Sequence, residues 1–118
     1  MPQPTATVAP DRIIPLHGVR DPVKLHRIRQ AMVERGWEGR PILVHREGAY
    51  YHAWMGSHRV HAATEAGINV PVYELTLPGG NPPRPHPSVY VRNRDRLRLL
   101  RDYGDQGAIA LMAEEMGG

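Results

Sequence analysis

The sequence predicts an α+β domain built on a small mixed sheet in the order β-α-β-β-α-β, followed by a C-terminal helical extension. Three observations carry that prediction. Short β-rich runs alternate with two segments of helical periodicity between Ile13 and Leu77, and Gly36, Gly48 and Gly67 punctuate them. Five prolines between Pro78 and Pro87 then break the pattern. A chain of 118 residues supports one compact unit with tails rather than two cores. The expected division is a flexible leader over residues 1–12, a domain over 13–77, a Pro-rich linker over 78–87 and a helical extension over 88–118.

Taken in order, Met1 to Asp11 holds three prolines among small polar residues with no apolar period, which predicts a leader outside the core. Ile13-Ile14-Pro15-Leu16 is short and contains proline, as an edge strand does. Asp21 caps a helix with Pro22 at its first position. Leu25, Ile28 and Met32 recur at helical spacing until Gly36. Ile42-Leu43-Val44 and the aromatic-rich Ala49 to Met55 read as a hairpin turning at Gly48. Ser57 is placed to cap a second helix that stops at Gly67, and Val70 to Leu75 is the last strand. After Gly104, Ile109, Met112 and Met116 form an apolar stripe that docks either on its own domain or on a second subunit of a homodimer.

Charge and composition bound the chemistry. Fifteen Lys and Arg stand against twelve Asp and Glu, a net charge of +3, and most of the cations are arginines suited to paired contacts with phosphate. There is no cysteine, which excludes disulfides, thiolate metal sites and a sulfur nucleophile. No segment approaches the ~20 apolar residues of a membrane span or the apolar core of a signal peptide, so a soluble, cytoplasmic protein is expected.

Gly56-Ser57-His58-Arg59, a glycine turn entering a helix, has the chemistry of a phosphate site. Unpaired backbone N–H groups and the positive end of the helix dipole converge there beside serine, histidine and arginine donors. Arg59 offers a paired fork, and His58 titrates near neutrality. Ser57 caps, donates to a phosphate or, given a base, acts as nucleophile. Ser57 and His58 are therefore also the candidate catalytic residues. His58 and His61, three apart, form only a weak metal pattern, and no resident metal site is expected. Mg²⁺ arriving with a nucleotide needs a carboxylate, for which Glu34, Glu38 and Glu47 are available. Arg92, Arg94, Arg96, Arg98 and Arg101 make residues 92–101 a candidate contact for DNA phosphates.

The element order together with "GSHRVHAATEAG" resembles the ParB/sulfiredoxin superfamily, whose box reads Gly-x-x-Arg-x-x-Ala-Ala. The His-Arg pair is closer to the sulfiredoxin spelling. "DPVKLHRIRQAMVERG" resembles the sulfiredoxin helix that supplies a phosphate-binding lysine, which falls on Lys24, and "GRPILV" resembles the strand that follows it. The resemblance implies nucleotide binding through Lys24, Gly56, Ser57, His58 and Arg59, with CTP or ATP as the ligand, with or without Mg²⁺. Ser57 stands where sulfiredoxins carry their reactive cysteine, so repair of a sulfinic acid by that route is not available. Only residues 88–118 follow the linker, short of the helix-turn-helix module of DNA-loading ParB proteins. Three readings follow, in order: an NTP-dependent regulatory or DNA-associated module, a small ATP-dependent phosphotransferase or NTPase, and a ParB-like nuclease. The last lacks a metal-carboxylate cluster.

Overall fold

A computed structural model of the protein describes residues 2–77 and 83–117. The elements are β1 (Ala6–Val8), β2 (Ile13–Ile14), α1 (Pro22–Arg35), β3 (Ile42–Glu47), β4 (Tyr50–Ala53), α2 (Ser57–Ala66), β5 (Val70–Glu74), α3 (Asn93–Tyr103) and α4 (Gln106–Glu115). The expected β-α-β-β-α-β order is present as β2-α1-β3-β4-α2-β5. The five strands form one sheet in the order β1-β5-β3-β4-β2. The β3-β4 hairpin and the β1-β5 pair are antiparallel, and β3-β5 and β4-β2 are parallel. Gly48 makes the hairpin turn with φ of 59°. β2, with Pro15 just beyond it, lies at the sheet edge as expected.

Local signals set the helix ends. Asp21 Oδ1 accepts from the Lys24 N–H at 3.1 Å, Pro22 is the first helical residue, and Gly36 closes α1 through its N–H to Met32 O at 2.8 Å. Gly67, in the left-handed region, ends α2.

The leader departs from expectation. Residues 6–8 form an edge strand on β5, continued by the Thr5 N–H to Val72 O at 2.8 Å. An edge strand is held by backbone bonds and its side chains here are mostly exposed, so no apolar period marks it. The extension also departs from the picture of a separate segment. Ile42, Val44, Tyr51, Ala53, Val70 and Val72 face α1 and α2, while Leu43, Trp54, Met55 and Leu75 face Leu97, Leu100, Ala108, Leu111 and Met112 of α3 and α4. The sheet is covered on both sides, which is why β3 is apolar without alternation. The stripe on α4 therefore docks on its own sheet. Its members are Ala108, Leu111 and Met112, with Ile109 half-buried. Met116 lies past the helix end and is exposed. Of the Pro-rich stretch 78–87, residues 78–82 lie outside the described residues, and Pro83 and Pro87 are buried. No helix among the described residues is long and apolar enough to cross a membrane.

α4 is seated by a polar clamp. The Tyr73 hydroxyl donates to Asp105 Oδ1 at 2.8 Å, and the same oxygen accepts the Ala108 N–H at 3.1 Å as the helix cap. Burial and this bond push the Tyr73 hydroxyl up to about 12. Gly107 lies against the same ring, and a Cβ there would come within 2.7 Å of Tyr73 Cζ. Gly107→Ala, which in an open helix gains about 1 kcal/mol, is expected to destabilise this protein by about 1–3 kcal/mol, read as a lower urea midpoint. Leu111→Ala should cost about 2–5 kcal/mol in the same measurement, the price of a core position rather than of a loose tail.

Candidate functional site

The first turn of α2 forms the floor of a cleft of about 430 Å³ between that helix, α1 and the extension. Gly56 is its N-cap, with φ 71° and ψ 32°, a left-handed conformation that glycine adopts freely. A Cβ there would also stand 2.6 Å from Cδ1 of the buried Ile42, so that side chain would have to shift. With Gly56 as cap, the expectation that Ser57 caps the helix does not hold. Ser57 is the first helical residue, and its Oγ is buried with no hydrogen-bond partner among the described residues. The first intrahelical bond runs from Val60 N–H to Gly56 O at 3.0 Å, which leaves the Ser57, His58 and Arg59 N–H groups without one.

Lys24, Gly56, Ser57, His58 and Arg59, the residues the sequence singles out, all line this cleft. Arg27 does not. Sequence reasoning missed Arg20, Arg40, Asn93 and Glu115, which line it too, and gave Arg96, another lining residue, to the DNA-contact segment instead. Among the described residues the result is five cationic side chains (Arg20, Lys24, Arg40, Arg59, Arg96) around one side-chain carboxylate, Glu115. Glu34, Glu38 and Glu47 lie elsewhere, the first two beside Arg35.

Arg59 is largely buried over the Trp37 ring, 5.4 Å from its centroid. Its Nη1 donates to Arg40 O and its Nη2 to Glu115 Oε2, both at 3.0 Å. Desolvation holds it below the usual arginine range, Glu115 opposes that shift, and the Arg40 charge adds to it. It remains a cation. Arg96 does not belong to an exposed basic face as the Arg-rich segment predicts. It is buried, donating to Tyr90 O at 2.6 Å and Asn93 Oδ1 at 2.7 Å, while its Nε has no partner and no carboxylate pairs with it among the described residues. Arg92, Arg94, Arg98 and Arg101 are the exposed members. Burial, and then the nearby Arg20 charge, lower Arg96. The charge of neighbouring Asp95 opposes this without pairing with the guanidinium, and a buried guanidinium that no carboxylate pairs with is costly unless an anion joins it.

His58 Nε2 accepts the Asp21 N–H at 3.1 Å, which places its proton on Nδ1 and ties α2 to the cap of α1. Burial, then the charges of Lys24 and His17, lower it, so it is neutral near pH 7. His61 Nε2 bonds His17 O at 3.1 Å rather than joining His58 on an ion.

A second cluster lies on the far face of the sheet. His45, Glu47 and His86 bring ligand-type atoms within 4.8 Å of one another. The Trp54 indole, a donor only, gives its N–H to His45 Nδ1 at 2.8 Å, so His45 carries its proton on Nε2 and donates to Glu47 Oε1 at 2.7 Å. His86 Nε2 bonds the same oxygen, and its Nδ1 accepts the Ser88 N–H at 3.2 Å. A metal-ligating histidine points a lone pair at the ion and donates its other N–H outward. His45 has the opposite polarity, which suits a carboxylate clamp and not a cation. Burial lowers His45 and likewise His52, which stacks on it at 5.5 Å. Burial raises Glu47, but its two histidine hydrogen bonds outweigh that and leave it below the usual carboxylate range.

With this geometry in hand, the architecture is recognisable: the chain has the ParB/sulfiredoxin-like fold. It is similar to the C-terminally truncated chromosome-partitioning protein ParB from Caulobacter crescentus complexed with CTP-gamma-S. The TM-score is 0.53 at 21% identity over 61% of this chain and 44% of that one, so the chain spans less than half of that ParB. It is also similar to sulfiredoxin from Arabidopsis thaliana, with a TM-score of 0.51 at 17% identity over 60% of this chain and 83% of that one. No protein-family model and no curated protein matches the sequence.

Gly56→Ala should lower stability by about 1–3 kcal/mol through the left-handed backbone and the contact with Ile42, checked by thermal unfolding. His45 and His52 are held neutral in the fold, so the unfolded chain binds more protons below the ordinary histidine value of about 6.5. Stability is therefore full above that pH and falls as pH drops through it, by up to about 1.4 kcal/mol per pH unit for each histidine. Melting curves between pH 8 and 5 should show this slope, and His52→Asn should reduce it.

Proposed function

We propose that the cleft at the start of α2 binds the phosphates of a nucleoside triphosphate and that the protein is a nucleotide-dependent regulatory module. The observation that carries this reading is the buried, unpartnered Ser57 Oγ beside three unpaired N–H groups in a cleft with five cations and one carboxylate. Those groups are donors waiting for an acceptor, and phosphate oxygens supply several at once. The volume suits a ligand of nucleotide size. The CTP-gamma-S complex of the similarly folded ParB supports the same reading and makes CTP the first nucleotide to test, with ATP second.

Arg92, Arg94, Arg98 and Arg101 on and beside α3 give this module a route to DNA phosphates, and α3 lies against the cleft through Arg96. Phosphotransfer is the weaker reading because it needs a base. The His58 Nε2 lone pair is already engaged by Asp21 N–H, and Glu115 is held between two arginines.

Titration calorimetry with CTP, ATP, GTP and UTP, each with and without Mg²⁺, tests the site. Saturable binding of one nucleotide is expected, and Arg59→Ala should reduce it at least about tenfold while the far-UV spectrum is unchanged. No heat from any of the four would refute the assignment. Retention on DNA should fall steeply with added salt and weaken when Arg92, Arg94, Arg98 and Arg101 are replaced by glutamine.

A further inference from the structure

Glu115 is the carboxylate of the cleft, and it comes from the last residue of α4, far in sequence from the phosphate box. Its Oε2 accepts from Arg59 Nη2 at 3.0 Å, from Arg40 Nε at 3.2 Å and from Arg40 Nη2. The side chain is largely buried, at 17% exposure, as is that of Arg59. The other Arg59 terminal nitrogen is taken by Arg40 O. Each terminal nitrogen of this arginine thus gives one of its N–H groups to the protein before any ligand arrives, and an internal carboxylate holds the place of an external anion.

We infer that Glu115 is a built-in competitor for phosphate, which a ligand must displace from Arg59 and Arg40, and that this makes the site selective for polyphosphates. The inference rests on the proposed phosphate cleft and adds its selectivity. A tethered carboxylate acts at an effective concentration on the order of millimolar or more. A lone carboxylate, sulfate or orthophosphate offers little to outcompete it. A di- or triphosphate displaces it, because its remaining charges engage the α2 N–H groups, Lys24 and Arg96 at the same time. Displacement is local. Tyr73, Ala108, Leu111 and Met112 anchor the body of α4, whereas Glu115 sits in a final turn followed by the exposed Met116, where a helix opens at little cost.

The test compares wild type with Glu115→Gln, which keeps the shape and removes the charge. Calorimetry uses orthophosphate, pyrophosphate, tripolyphosphate, CTP and ATP. Glu115→Gln is expected to bind each of the three inorganic probes at least about fivefold tighter, with the largest gain for orthophosphate. Glu115→Ala should move in the same direction, and melting curves of both variants establish that they fold. Equal or weaker binding by folded Glu115→Gln, with wild type still binding, would overturn the role of Glu115 and leave the cleft standing, since Glu115 would then orient the arginines instead of competing for them. No binding by wild type and by both variants would overturn the cleft and the competitor together. Because the chain has no cysteine, Met116→Cys carries a single spin label. Its mobility should rise on adding tripolyphosphate, and a label that stays unchanged while the probe binds would count against displacement.

Discussion

Both faces of the sheet present large apolar side chains, and the second face is dry only because α3 and α4 fold back over it. Leu43, Trp54, Met55 and Leu75 are each buried there, and covering side chains of this size is worth about 1.5–3 kcal/mol apiece. That apolar closure has a polar consequence. It swings α3 and the end of α4 to the mouth of the first turn of α2, carrying Asn93, Arg96 and Glu115 into a cleft whose other wall is α1. The packing of the extension and the assembly of the site are one event.

Electrostatically the cleft is unbalanced. Five cations face one carboxylate, and that carboxylate is shared between two of them. Arg96 is buried and Arg40 and Arg59 are partly so, while Arg20 and Lys24 are exposed. The like charges repel and the buried ones lose hydration, so the cleft gains most from an anion. The α2 dipole adds to the field without a desolvation cost of its own, because its N–H groups are fixed by the helix. The unpartnered Ser57 Oγ and Arg96 Nε fit the same picture of unfilled hydrogen-bonding capacity concentrated in one place.

The histidine cluster on the opposite face works by different physics. Trp54 fixes the tautomer of His45, His45 and His86 point N–H groups at one Glu47 oxygen, and the charge on Glu47 is held by donors rather than by a cation. His86 lies at the end of the Pro-rich stretch, just before the extension. The clamp thus fastens the start of the extension to the β3-β4 hairpin, as the Tyr73-Asp105 bond fastens its second helix. These two polar fasteners act with the Glu115 ion pairs and the apolar interface to hold the extension in register.

Much of this was legible in the sequence wherever the deciding interaction is local. Asp21-Pro22, Gly36, Gly48 and Gly67 mark element ends because capping and positive φ act within a few residues. The Gly56 to Arg59 box is readable because a helix N-terminus carries its own field. Tertiary structure decided the rest. β1 has no apolar pattern, since backbone bonds to β5 make it. Ser57 lost its capping role to Gly56, which takes the N-cap position in the left-handed conformation and places Ser57 one residue inside the helix. Arg59 meets Glu115 across 56 positions, Arg40 meets it across 75, and His86 meets Glu47 across 39. Pairs so distant leave no trace in composition or period. Only burial of the second sheet face brings them together, so the sequence by itself determined β2 to β5, the first two helices and the Gly56–Arg59 turn, and packing determined β1 and what surrounds that turn.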